Sequence, residues 1–519
     1  MVPGPSADGP GAHVDAAVSF NLRFWGRLYP DREAAVPLQT APDMESIFTP
    51  LMHEHDYVVD DVKGDLPGEL TGTLYRIGPG KWEVGRTLLH HLFDGDGMVS
   101  QFAFDGREVR FRNRYVRTPQ FVDGMVAGRA RRPAVGTALP GGFWTNFAKA
   151  KGPANAANTG VVMHAERLLA LWEGGPPYRL DPDTLETLGV HDFGGRLRGM
   201  LKAFSAHPKW DPVTGEMFNF GQEFAPLPHL NCWKVDRQGR MRRLAKVRML
   251  NMPWNHDVAL TTGHMVFVLD PYMFDLRTML SGGPMFDAIR HRPDKGTRFV
   301  LVPRDGGPAR IAEHEALVHL HVANAFEDGT ETVVDLVEFD DYEDIRRDLT
   351  GFRTRFPELP ASRLMRYRIT PAGRVIATRL SDVPGELPQY DWRRSTRPHR
   401  FTYMSGRTGP SGEYDSVLKV DNDTGRTEVH EMGPHTYVGE PIFVPRAQDA
   451  AEDDGWLLAV VYLGAEHRSQ LTILDARGLD HVATLRLKHH IPFGFHGTFT
   501  RRVADPGAPI PHPDRLPIR

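Results

Sequence analysis

The sequence predicts an all-β protein, a seven-bladed β-propeller with loops and short helices capping one end of its axis. Three observations predict it. Glycine and proline number 51 and 42 among 519 residues and are spread along the chain as turns rather than gathered in one linker, which favours many short strands over long helices. One unit also recurs: an alternating strand, a turn rich in Asp, Gly or Pro, and a returning strand. Phe102-Ala103-Phe104, Asp105-Gly106 and Val109-Arg110-Phe111 form the first example, an Asp-Gly hairpin signal. Val420-Asp421-Asn422-Asp423-Thr424-Gly425 is the clearest, and similar turns begin near Asp181, Asp236, Asp305, Thr370 and Asp475, at intervals of 51 to 76 residues. Finally, blades of ~40 to 45 residues with loops inserted on one face reproduce that spacing. They also explain how one domain exceeds the ~250 to 300 residues at which a single core stops growing.

Taken in order, residues 1–45 read as an N-terminal extension. Phe20, Leu22, Phe24, Trp25, Leu28 and Tyr29, mixed with Arg23 and Arg27, suit a helix packed on the domain or a segment lying at a membrane surface. Residues 46–519 are the propeller. With 62 basic and 66 acidic residues the net charge is −4, so no basic excess exists to neutralise nucleic-acid phosphates. The single cysteine, Cys232, excludes an intrachain disulfide and any thiolate-cluster metal site. The longest apolar run, Trp456 to Ala465, is far short of the ~20 residues needed to span a bilayer, and the N-terminus lacks a signal-peptide pattern. A cytoplasmic setting is expected. Common catalytic motifs fail: His314-Glu315 has Val318 where a zincin helix needs histidine, Gly80-Lys81 lacks the rest of a P-loop, and Asp94-Gly95-Asp96-Gly97 lies in a propeller loop.

The 24 histidines are the unusual count. His207, His256, His321 and His496 lie 26, 20, 16 and 21 residues after the turns at Asp181, Asp236, Asp305 and Asp475, early in the following blade where the innermost strand lines the axis. Glu386 and Glu440 hold the corresponding places after Thr370 and Asp421. Six successive inner strands therefore offer His, His, His, Glu, Glu and His toward one point. Imidazole is a common ligand for Zn, Cu, Fe and Ni, and a ligating histidine usually donates its other N–H to a carboxylate. Glu173, Glu386 and Glu440 suit that supporting role. Four neutral ligands with open positions fit Fe(II) better than a closed zinc site.

The segments around these histidines, Ser205-Ala206-His207-Pro208-Lys209, His256-Asp257-Val258-Ala259-Leu260-Thr261, His321-Val322-Ala323-Asn324-Ala325-Phe326-Glu327 and Gly494-Phe495-His496-Gly497-Thr498-Phe499, resemble the four iron-histidine motifs of the carotenoid cleavage oxygenases. The likeness continues in Gly72 to Pro79, Phe93 to Met98, Gly385 to Pro388 and Glu440 to Pro445. The resemblance implies a propeller holding Fe(II) through His207, His256, His321 and His496, with Glu173, Glu386 and Glu440 behind them, and cleavage of a conjugated C=C bond by O2 into two carbonyl products.

Asn155 to Thr159 and Leu168 to Gly175 look most like the bacterial apocarotenoid oxygenases, where the position of Thr159 sets a small side chain beside the iron. In the stilbene-cleaving branch a lysine that binds the substrate phenol precedes the first supporting glutamate; here that residue is Trp172. A lipophilic polyene, carotenoid or apocarotenoid, is thus the expected substrate, with a resveratrol- or lignostilbene-type stilbene as the alternative. A lyase or isomerase acting on a polyene and a non-catalytic binding propeller are the other readings. Phe93, Trp172, Phe493 and Phe495 are candidates to line the substrate tunnel. Tyr272-Met273-Phe274 through Met285-Phe286, expected between blades, is a candidate tunnel mouth and peripheral membrane contact.

Overall fold

The computed structural model describes residues 44–509 apart from 149–151, 198–202, 225–227, 250–251, 342–348, 351, 353–355, 358–359 and 410–411. The apolar-basic stretch with Phe20, Trp25 and Tyr29, and almost all of the expected N-terminal extension, lie outside the described residues.

Seven antiparallel sheets follow one another around an axis, and two short hairpins complete the strand inventory of the described residues. All seven turns read from the sequence join the third and fourth strands of a blade, counted outward from the axis. Their chemistry explains why aspartate marks them. Asp105, Asp181, Asp236, Asp305, Asp421 and Asp475 each accept a hydrogen bond on Oδ1 from a backbone N–H two residues on. At the remaining turn Thr370 Oγ1 accepts from Arg374 N, four residues on, at 3.1 Å. Such side chains mimic a backbone turn and spare the chain an unpaired donor.

The core is divided rather than central. One apolar layer lies between each neighbouring pair of blades. Phe102 and Phe111 of the first blade meet Trp456 and Ile473 of the seventh, for example, and Val266 and Phe299 of the fourth meet Val334 and Tyr367 of the fifth. Middle strands are covered on both faces, as in Gly455–Leu463, whereas the outer strand Met241–Arg248 is largely exposed. A further apolar cluster at one end of the axis, including Phe48, Trp82, Phe286, Tyr414, Tyr437 and Phe495, forms the cap.

The two ends of the described chain close the ring. Gly497–Thr500 supplies the innermost strand of the first blade, pairing with Thr71–Lys81, while Asp61–Gly64 supplies the outermost strand of the seventh by pairing with His481–Arg486. One expectation needs correcting. The segment from Tyr272 to Phe286 does not run between blades but belongs to an insertion inside the fourth, between its strands His264–Leu269 and Thr297–Pro303. Its hairpin, Tyr272–Phe274 with Ile289–His291, folds over the axis end.

Candidate metal centre and cavity

Each of the seven innermost strands delivers one side chain to the axis. Thr159 and His496 immediately precede the strands Gly160–His164 and Gly497–Thr500, and His207 and His256 stand two and three residues before Lys209–Trp210 and Ala259–Leu260. His321 lies within His319–Asp328, Glu386 within Gly385–Gln389, and Glu440 between Thr436–Val438 and Ile442–Pro445. Glu173 arrives from the next strand out, just after Arg167–Leu171.

The structure brings together all four histidines singled out in the sequence. Their candidate ligand nitrogens lie within 4.8 Å of one another. His207 Nε2 is 2.9 Å from His256 Nε2, which is 3.3 Å from His321 Nε2, and the His496 ring centroid is 4.5 Å from that of His207. The three glutamates are also in place: His256 Nδ1 faces Glu173, His321 Nδ1 donates to Glu386 Oε2 at 2.7 Å, and His496 Nδ1 donates to Glu440 Oε1 at 2.9 Å. A carboxylate on Nδ1 fixes the proton there and turns the Nε2 lone pair inward. Several inward lone pairs at such distances repel unless a cation lies among them, so the donor set fits a single metal ion. Among the described residues no carboxylate pairs with His207.

The electrostatics favour the neutral imidazole at His207 and His496 and oppose it at His256. Burial, reinforced by the other three histidines, holds His207 well below its usual pKa. His496 is lowered by burial, partly offset by Glu440. For His256 burial acts in the same direction, but the Glu173 charge and contact outweigh it and the pKa is raised.

Two contributors had no role assigned from the sequence. Arg76 donates through Nη1 to Glu440 Oε2 and through Nη2 to the Phe495 carbonyl at 2.7 Å. Gln389 Nε2 donates to Glu440 Oε1 at 2.8 Å. Burial pushes the Glu440 carboxyl up, but His496 and Arg76 together bring it down to about 2. Arg76 lies within the Gly72 to Pro79 motif; its alternation with the buried Tyr75 and Ile77 was the available signal, but nothing local shows that it reaches the seventh blade.

The histidines divide two spaces. On the capped side lies a cavity of about 300 Å³ whose lining includes His256, His321, His496, Thr159 and all four expected aromatic residues, Phe93, Trp172, Phe493 and Phe495. Phe274, Met285 and Phe286 of the insertion line it as well. Phe93 meets Phe495 edge-on at 5.5 Å between centroids. The ring of Trp172 lies against Gly174, where an added Cβ would stand 2.5 Å from it. Among the described lining residues there is no lysine or arginine. Asn255, Tyr414 and Tyr437, which the sequence did not single out, also line this cavity. On the other side a chamber of about 60 Å³ has a mixed wall that includes Lys209, Asp257 and Gln389.

The Asp94 to Gly97 turn serves packing, not phosphate. Asp94 accepts from Gly136 N at 3.0 Å and Thr137 Oγ1 at 2.6 Å. A Cβ on Gly97 would fall 2.1 Å from the Ala157 carbonyl oxygen.

Comparison with known proteins agrees with this geometry. Residues 48–501 match the family model described as RPE65, retinal pigment epithelial membrane protein. The chain is 37% identical over 474 residues to apocarotenoid-15,15'-oxygenase of Synechocystis sp., covering 86% of this chain and 94% of that protein. It is 31% identical to resveratrol cleavage oxygenase 1 of Aspergillus fumigatus, with 88% and 95% covered. It is 30% identical to isoeugenol monooxygenase of Pseudomonas nitroreducens, with 89% and 98% covered. The crystal structure of cobalt-substituted Synechocystis ACO superposes with a TM-score of 0.82 at 35% identity, over 88% of this chain and 98% of that one. By its propeller, its axial histidines and a family match over most of its length, the chain belongs to the RPE65, or carotenoid cleavage oxygenase, family.

Proposed function

We propose that the protein is a non-haem Fe(II) dioxygenase that cleaves a conjugated C=C bond of a carotenoid or apocarotenoid with O2, giving two aldehyde products. The observation that carries this reading is a four-imidazole centre bordering a cavity of about 300 Å³ walled largely by aromatic and other apolar side chains. A conjugated alkene offers no acid or base handle, and Fe(II) held by His207, His256, His321 and His496 would supply the O2 chemistry the reaction needs. Glu173, Glu386 and Glu440 keep the Nδ1 protons in place, and Thr159 takes up space beside the centre. Phe93, Trp172, Phe493 and Phe495 hold the polyene by contact and exclude water. A polyene gains by leaving water and makes no polar demand on such walls. A phenolate would find no cation among the described lining residues, which favours the polyene over the stilbene.

The test is mass spectrometry of products from carotenoids, apocarotenals and resveratrol incubated with Fe(II)-loaded enzyme, with and without O2. Apocarotenal should exceed resveratrol by ~5 to 150-fold in kcat/KM, the span of a 1 to 3 kcal/mol difference. Preference for resveratrol would overturn the substrate assignment. Turnover without O2 would instead mark a lyase or isomerase, and no turnover or O2 uptake a binding scaffold.

Substrates of this kind reside in membranes. Trp144 and Leu280 are 69% and 54% exposed, on segments tied together by Asn146 Nδ2 donating to the Gly282 carbonyl. Phe224, 39% exposed, packs on the cavity-lining Phe274 with centroids 4.8 Å apart. Among the described residues no helix is long and apolar enough to cross a membrane. We place this apolar face on the membrane surface, with the protein cytoplasmic and peripheral. Trp144→Ser should lower co-sedimentation with lipid vesicles several-fold; unchanged binding would remove this face from the contact.

A further inference from the structure

The cavity above the imidazoles contains few polar atoms, and one of them has no use in the metal centre. Apart from His256 Nδ1, which faces Glu173, three buried polar side-chain atoms of its described lining residues lack a hydrogen-bond partner in the protein: Glu386 Oε1, Asn255 Oδ1 and the Tyr414 hydroxyl. Glu386 and Asn255 are engaged through their other polar atoms, with His321 Nδ1 and with the Asp257 carbonyl. Tyr414 has only the one. Its residue is 7% exposed, its carbonyl accepts from Val438 N at 2.7 Å, and its ring lies 6.3 Å from that of Tyr437. The Ser362 hydroxyl is nearby but donates to the Gly385 carbonyl at 2.8 Å and does not meet the phenol in hydrogen-bonding geometry. Phenylalanine would fill the same space without leaving a buried hydroxyl unmet. Burial, with Glu386 and Tyr437 adding to it, keeps the phenol protonated far above its usual range, so it is a donor.

We propose that Tyr414 is a specificity-determining residue whose hydroxyl donates a hydrogen bond to a carbonyl or hydroxyl oxygen on the substrate, so that the enzyme selects oxygenated polyenes over hydrocarbon polyenes of equal length. This rests on the polyene-cleavage reading above. A site that hydrogen-bonds a substrate oxygen discriminates against the analogue lacking it, because the buried group is then left unpaired.

The test compares wild-type and Tyr414→Phe enzyme, Fe(II)-loaded, on an apocarotenal, the matching apocarotenol and a hydrocarbon polyene of the same conjugated length. Two quantities are read: kcat/KM in air, and Kd under argon from quenching of tryptophan fluorescence. The wild type should favour the oxygenated ligands by ~10-fold, the worth of one well-placed hydrogen bond. The variant should lose that preference in both measurements, as the oxygenated ligands lose their hydrogen bond and the hydrocarbon no longer buries an unpaired hydroxyl. A drop confined to the aldehyde, or confined to the alcohol, supports the proposal and identifies the oxygen read. Ordinary cleavage with an unchanged ratio overturns the role of Tyr414 alone. Failure of the wild type to cleave any polyene overturns the functional reading and this proposal with it.

Discussion

The three carboxylates behind the histidines differ in their surroundings, and the difference predicts distinct phenotypes. Glu440 accepts from His496, Arg76, Gln389 and Gly497 N, whereas Glu386 Oε1 is unpartnered in the protein. Arg76 cancels the charge of Glu440, so a bound dication would be balanced by Glu173 and Glu386, leaving the buried centre neutral. Glu386→Gln should therefore lower iron affinity by ~10 to 100-fold with little change in Tm. Glu440→Gln should also cost ~3 to 5 kcal/mol of stability, because it strands the Arg76 guanidinium, and Arg76→Met added to it should recover part of that loss. Metal titration and thermal unfolding of the three variants check this; equal stability of the two glutamine variants would refute the Arg76 argument. His256→Ala should abolish metal retention, measured as bound iron per chain, and full activity of the iron-free protein would refute the metal assignment. The four histidines, Glu386 and Glu440 were legible because each keeps phase with the blades, whereas Glu173, from the next strand out, was placed by the family resemblance. Arg76 and Tyr414 were not legible, since their partners lie 364 residues away and in a cavity built by separate blades.

At the scale of single elements, the loop carrying Asp94 predicts a pH dependence. Burial raises the Asp94 carboxyl from its ordinary value to about 7, against the pull of Thr137 and Gly136, and no cation is paired with it among the described residues. The unfolded chain releases this proton near pH ~3.9 while the folded chain holds it to about 7. Its contribution to stability is thus full below the unfolded pKa and is lost as pH rises through the folded one. Asp94→Asn, which keeps an acceptor and has no charge, should gain on the wild type by about 2 to 3 kcal/mol between pH 5 and pH 8. Thermal unfolding at the two pH values decides it; the same displacement at both would refute the assignment. The sequence placed this turn in a propeller loop and within the Phe93 to Met98 stretch of the family likeness, without showing what Asp94 packs against. Its packing partners, Gly136, Thr137 and Ala157, come from two other loops, and no local pattern shows that they meet this turn.

For the whole molecule, the ring is held by pairings between distant parts of the chain, Thr73 to Arg76 with Gly497 to Thr500 and Asp61 to Gly64 with Ala483 to Arg486. Deleting residues 497–519 removes the innermost strand of the first blade and uncovers the layer between it and its neighbours. Such a chain should lose its single cooperative unfolding transition and its iron together; a cooperative transition near the wild-type Tm would show that the ring does not need this closure. The sequence by itself determined the number of blades, the seven turn positions and the residue types facing the axis, because turn chemistry and strand alternation are local and a repeat displays them seven times. Tertiary structure alone decided which strands close the ring, that the Tyr272 to Phe286 segment is an insertion within one blade, and which polar groups meet behind the histidines or stand unmet in the cavity. Those features arise where side chains from different blades converge on the axis, and convergence depends on the curvature of the whole ring rather than on any segment's own pattern.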